Sequence, residues 1–64
     1  MTYEEEKNIR RKLRTQLERE GWQCIAPLTW QLNGVTVDLD AAVMVNGKLR
    51  SQWGVMAEKR GIEA

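Results

Sequence analysis

Four basic residues stand close together near the start of the chain: Lys7, Arg10, Arg11 and Arg14. At about 100° per residue, an α-helix would bring these side chains within about a third of its circumference. Cationic groups on one rigid element can neutralise phosphates and release the counterions that surround a nucleic acid. The spacing therefore favours nucleic-acid binding through one helix face. A simple solvated face is the other interpretation, because the acids Glu4, Glu6 and Glu18 dilute the positive charge through pairs such as Glu6 with Arg10.

The composition limits other kinds of chemistry. Ten basic and nine acidic residues give a net charge of +1, so only local clustering of charge points to a nucleic acid. The chain has one cysteine and no histidine, so we predict no internal disulfide, no zinc site, no cofactor and no ordinary general base. We expect Cys24 to be a buried, unreactive thiol and the protein to be a non-catalytic one.

The same features predict where the protein resides. A single cysteine fits a reducing compartment. No segment approaches the roughly 20 apolar residues of a membrane span, and the chain opens with three glutamates where a secretory signal would be basic and then apolar. We therefore expect a cytoplasmic protein with no membrane association.

The basic residues lie within a well-delimited predicted helix. Thr2 and Glu5 have the spacing of a capping box, which starts the helix at Tyr3. Gly21 suits the left-handed position after a helix end, so the helix should run to about Glu20. Its apolar stripe is narrow and consists of Ile9, Leu13 and Leu17, extended by Tyr3.

A hairpin is predicted immediately downstream. Asn33-Gly34 between two alternating apolar segments is a strong signal for a two-residue turn. This turn pairs three sets of apolar residues and places all six side chains on one face of the sheet. The pairs are Leu32 with Val35, Trp30 with Val37, and Leu28 with Leu39.

The remainder predicts a third strand and a short helix. Apolar residues at every odd position from 35 to 45 indicate one long second strand, and Asn46-Gly47 marks the next turn. A three-residue loop with a bulge would pair Val45 with Leu49 and Val43 with Ser51, and would bring Trp53 opposite Ala41. Residues 23–26 suit an extended segment and residues 55–58 a short C-terminal helix.

These elements predict an α+β fold in one domain, residues 1–64. An N-terminal amphipathic helix packs on a three-stranded antiparallel meander. A chain of this length buries only about 60% of the surface of its unfolded form, so we expect a homodimer. The leading functional prediction is a small regulatory or accessory module, of the kind that phages and mobile elements encode, that contacts nucleic acid. The alternative is a protein-binding adaptor or inhibitor that uses exposed Trp22 or Trp53, or a strand edge.

The predicted order of elements resembles the double-stranded RNA-binding domain. The segment VTVDLDAAVMVNGK is similar to the central strands of that family. The family's glycine- and lysine-rich start of a long second helix has no counterpart here, because Trp53-Gly54-Val55 stands at that point. The resemblance thus implies an architecture and not a function.

A more remote resemblance is to nucleases of the restriction-endonuclease type. It lies in the order of the helix, Gly21-Trp22, Val37-Asp38-Leu39, the hairpin, and Glu58-Lys59-Arg60. The resemblance implies that Asp38 and Glu58 would hold a divalent metal and that a lysine would position the attacking water. Arg60 stands where that lysine is expected, and solvation of an open sheet face is the alternative role for Asp38 and Asp40.

Overall fold

The computed structural model describes residues 2–64, and its architecture is α+β, as predicted. A helix at each end flanks five antiparallel strands in two sheets, of orders β1-β2-β3 and β4-β5. The elements are α1 (Tyr3–Arg19), β1 (Gln23–Ala26), β2 (Thr29–Leu32), β3 (Val35–Asp38), β4 (Ala42–Val45), β5 (Lys48–Ser51) and α2 (Gln52–Lys59).

Both predicted ends of α1 are confirmed. The hydroxyl oxygen of Thr2 accepts a hydrogen bond from the Glu5 backbone N–H at 3.2 Å, and the hydroxyl itself donates to the Glu5 carboxylate. At the other end, Gly21 has a φ of 97°. The backbone N–H of Trp22 then donates to the Leu17 carbonyl at 3.0 Å. This bond completes a Schellman motif and ends the helix.

The first hairpin has the predicted register. Leu32 pairs with Val35 and Trp30 with Val37, and the Leu39 N–H donates to the Leu28 carbonyl at 2.8 Å. The predicted extended segment is also present, as β1, which pairs with the other edge of β2. This sheet therefore places Trp30 where it can pack on α1.

The single long strand predicted for residues 35–45 is wrong. The Asp38 carboxylate accepts a hydrogen bond from the Asp40 N–H at 2.9 Å, and the Asp38 carbonyl accepts one from Ala41 at 3.1 Å. An aspartate that binds backbone two residues ahead stabilises a turn at the expense of strand pairing. The chain therefore bends between β3 and β4 and forms two sheets where one meander was expected.

The register predicted for the second hairpin is also wrong. Asn46 and Gly47 have φ values of 50° and 77° and form a two-residue loop, so Val45 pairs with Lys48 and Val43 with Arg50. No bulge is needed, because this hairpin forms a sheet of its own and its Lys48 and Arg50 side chains are exposed.

The second hairpin leads directly into the C-terminal helix. Trp53 belongs to α2 and not to a strand opposite Ala41. The backbone N–H of Trp53 donates to the Leu39 carbonyl at 2.9 Å. The helix predicted for residues 55–58 is confirmed, and it begins three residues earlier.

The buried side chains form one cluster around α1. Leu13 and Leu17 are fully buried, whereas Tyr3 is 79% exposed and does not extend the stripe as predicted. Cys24 is also exposed rather than buried, because β1 lies at the edge of its sheet. The core consists of Ile9, Leu13, Leu17, Trp30, Leu39, Trp53, Met56 and Ala57.

The Schellman motif yields a stability prediction. In Gly21→Ala, the new Cβ would meet Leu32 Cδ1 at an ordinary 3.6 Å, so the cost arises from the left-handed backbone and should be about 1 kcal/mol. Urea denaturation followed by tryptophan fluorescence measures it. Gly54→Ala is the control, because Gly54 lies in α2 without a left-handed φ, and its new Cβ would come closest to the Ser51 Oγ, at 3.3 Å, a hydroxyl that makes no capping hydrogen bond and can rotate away. An equal or larger loss in Gly54→Ala would contradict the explanation.

Candidate functional site

The solvent face of α1 carries most of the basic side chains on this helix. Lys7, Arg11 and Arg14 are exposed, and the helix is continuous from Tyr3 to Arg19. The apolar stripe lies on a different side of the helix, where Ile9, Leu13 and Leu17 are buried. Three of the four predicted nucleic-acid contacts therefore point away from the core and share one rigid surface.

Arg10, the fourth predicted contact, is engaged within the protein. Its guanidinium lies 3.1 Å from the Glu6 carboxylate and 3.6 Å from that of Asp40, and 4.7 Å above the centroid of the Trp53 ring. The Arg10 side chain is 36% exposed, and Nε is buried. Its charge is thus compensated twice, and it joins α1 to the β3–β4 turn and to α2.

Two further basic residues, which sequence reasoning did not assign to the site, extend this surface. Arg19 and Lys12 line a groove of about 350 Å³ between α1 and Ile62. The Lys12 ammonium donates to the Glu63 carbonyl at 2.8 Å. At about 100° per residue, Arg19 lies about 80° from Arg11 but about 140° from Arg14, so spacing alone does not group it with Arg14. Only the folded structure brings the C-terminal residues to the groove. The complete lining is Arg11, Lys12, Thr15, Gln16, Arg19 and Ile62.

Acid partners are distributed unevenly over the structure. Within residues 2–64, ion pairs are formed by Arg10, by Arg50 with Glu58, and by Arg60 with Glu20. The other basic residues of α1 are in none of these pairs. The surface that combines Lys7, Arg11, Arg14 and Arg19, called here the α1 basic face, therefore carries positive charge that the described residues do not neutralise by direct pairing.

Glu20 joins the ends of the two helices. Its carboxylate accepts two hydrogen bonds from the Arg60 guanidinium, at 2.7 and 2.8 Å. It also accepts one from the Gln16 amide at 3.2 Å and one from the Trp22 indole at 3.3 Å. The hydrogen bonds from Arg60 are the main reason that the pKa of Glu20 is lowered to about 2, and the same pairing raises the pKa of Arg60.

The tryptophans proposed for protein binding pack within the fold. Trp53 is 8% exposed and part of the core, so its ring is not available as a surface anchor. Trp22 is half-buried, packs on the core and donates to Glu20. The exposed apolar side chains lie elsewhere. Met44 and Leu49, opposite each other in the β4–β5 hairpin, are 65% and 70% exposed.

The carboxylates expected of a nuclease lie in different settings. Asp38 ends β3 and accepts the hydrogen bond that shapes the following turn. Glu58 lies in α2, not on an adjacent strand, and pairs with Arg50, while Arg60 is bound to Glu20. Across residues 2–64, no group of three or more His, Cys, Asp or Glu side chains is arranged to hold a metal ion.

Comparisons with known proteins assign no function to this chain. No protein family, curated protein or solved structure matches this chain. Among the described residues, neither helix has the length and apolar character needed to cross a membrane. The α1 basic face is therefore interpreted from its own residues.

The Glu20–Arg60 pair predicts an acid-sensitive contribution to stability. Because the pKa of Glu20 is lowered from 4.5 to about 2, the pair stabilises the fold above pH 4.5, and this contribution disappears as the pH falls towards 2. Arg60→Met should therefore lower the urea midpoint at pH 6 more than at pH 2.5. Arg50→Met, which removes the pair with Glu58, is the control, and its decrease in urea midpoint should differ less between the two pH values. Equal decreases for Arg60→Met at both pH values would contradict the assignment.

Proposed function

We propose that this protein is a non-catalytic module that binds nucleic acid through the α1 basic face. The observation that supports the proposal is the uneven charge pairing. Arg50 and Arg60 are held by acids, whereas Lys7, Arg11, Arg14 and Arg19 are exposed over an arc of about 140° of α1 and are in none of the ion pairs of the described residues. Cations at steps of three to five residues on one rigid helix can contact several phosphates of a nucleic-acid backbone.

The packing of α1 supports this role. Its buried stripe attaches it to both β2 and α2 through the shared core, so the basic face is held in one orientation. Arg10 contributes to that attachment through Trp53 and Asp40, and we therefore assign it a positioning role and not a phosphate contact. The phosphate contacts proposed for the α1 basic face bind the backbone of a nucleic acid, so the proposed binding is independent of base sequence.

Salt-dependent binding tests the proposal. Arg11→Ala/Arg14→Ala should weaken binding of a labelled oligonucleotide and reduce the slope of log affinity against log salt by about 0.7–0.9 for each phosphate that the variant no longer neutralises. Fluorescence anisotropy at several salt concentrations measures both quantities. Circular dichroism verifies that the variant is folded, which is expected because both side chains are exposed.

The matched control removes the same amount of charge elsewhere. Lys48→Ala/Lys59→Ala deletes two exposed lysines outside α1 and should leave the salt slope nearly unchanged. If both double variants reduce the slope equally, binding depends on net charge and not on the α1 basic face. If the native protein binds no nucleic acid at low salt, the proposal fails.

A second candidate function is protein contact through the β4–β5 hairpin, with another copy of this chain as the partner. Met44 and Leu49 form an exposed apolar pair on this hairpin, in place of the tryptophans expected from the sequence. A small domain gains additional burial from dimerisation, and two-stranded hairpins have little stability without a further packing surface. The homodimer thus remains a prediction, and the surface proposed for it is the apolar pair of the β4–β5 hairpin.

Light scattering over a concentration series tests the dimer. Met44→Ser/Leu49→Ser should raise the concentration at which the dimer dissociates by about tenfold or more, because burying one large apolar side chain contributes about 1.5–3 kcal/mol. Ile25→Ser/Val35→Ser, which changes two exposed apolar residues of the other sheet, should have little effect. A native protein that is monomeric throughout would refute this candidate.

A further inference from the structure

Tyr3 is the most exposed of the large hydrophobic residues that the structure leaves at the surface. The ring belongs to the first turn of α1, and it takes no part in the buried core. An exposed aromatic ring presents a flat face that can stack on a nucleic-acid base. The position of Tyr3 relative to the α1 basic face therefore matters for what that face binds.

Helix geometry places Tyr3 at the end of a row of cations. At about 100° per residue, Tyr3, Lys7, Arg11 and Arg14 lie within an arc of about 80° on one side of α1. Successive members of the row are about 6, 6 and 4.5 Å apart along the helix axis at the usual rise. The row thus begins with an aromatic ring and continues with three cations at steps comparable to those between phosphates of an extended strand.

Two of the three acids near Tyr3 are engaged with other groups, and the third, Glu4, is in none of the ion pairs of the described residues. The Glu5 carboxylate accepts a hydrogen bond from Thr2, and the Glu6 carboxylate pairs with Arg10. These contacts hold two of the three neighbouring negative charges away from the row. The approach of a phosphodiester strand to Lys7 and Tyr3 is correspondingly less opposed.

We infer that the α1 basic face binds single-stranded nucleic acid, with a base stacked on Tyr3 and the adjoining phosphates on Lys7, Arg11 and Arg14. The inference rests on the proposed function and specifies its ligand. A base inside a duplex already has both faces stacked, so a surface ring gains this contact only with an unpaired base. DNA and RNA strands share the chemistry that the row would recognise.

The experiment compares ligands and variants in one binding assay. Labelled DNA and RNA single strands of about 12 nucleotides, and a duplex of the same length, are titrated with native protein, Tyr3→Ala and Tyr3→Phe. Tyr3→Ala should weaken single-strand binding by about fivefold or more, while Tyr3→Phe, which keeps the ring, should bind like the native protein. The duplex should bind more weakly than the strands and should be insensitive to Tyr3→Ala.

Further measurements separate failure of the inference from failure of the proposed function. Ile25→Ala controls for removal of an exposed apolar side chain outside α1 and should leave affinity unchanged. If Arg11→Ala/Arg14→Ala weakens binding but Tyr3→Ala does not, or if the duplex binds more tightly than the strands, the inference is overturned and the proposed function stands. If no nucleic acid binds, both fail. Circular dichroism of Tyr3→Ala verifies that helix α1 is retained.

Discussion

The narrow apolar stripe of α1 is the constraint on which the rest of the structure depends. Leu13 and Leu17 are fully buried, and the members of the core outside α1 come from β2, from the turn after β3 and from α2. A chain of 64 residues can fill only one such core. Trp30 and Trp53 must therefore meet on the same stripe although they belong to different parts of the chain.

Polar contacts at the rim of the core align these elements. Arg10 connects α1 to Asp40 and to the ring of Trp53, and Glu20 connects the end of α1 to Arg60 beyond α2. Both contacts use charges that would otherwise face solvent. The outer side of α1 keeps cations that are in none of the ion pairs of the described residues, and these unpaired cations support the proposed function.

The stripe also explains the division of α1 into two faces. Three buried residues at intervals of four occupy a limited part of the helix circumference, so most of the helix surface is available for other roles. Tyr3 lies outside that stripe and is exposed for the same reason. A wider apolar face would have buried more of the helix and left less surface for a binding row.

Features that depend on residues close together in the chain could be predicted before the fold was known. Both ends of α1 and the Asn33-Gly34 hairpin were predicted correctly, because capping and two-residue turns are formed by residues a few positions apart. Much of the basic face was also predictable, since helical periodicity alone places Lys7, Arg11 and Arg14 together.

Which elements pack against each other follows from the folded structure and could not be predicted from local patterns. The bend after Asp38 separates the strands into two sheets, and this separation permits a register that places Arg50 on the side facing Glu58. The same packing buries Trp53 and engages Arg10. These outcomes depend on contacts between residues far apart in the chain. Local residue patterns do not specify such contacts, because the contacts form only when the core assembles.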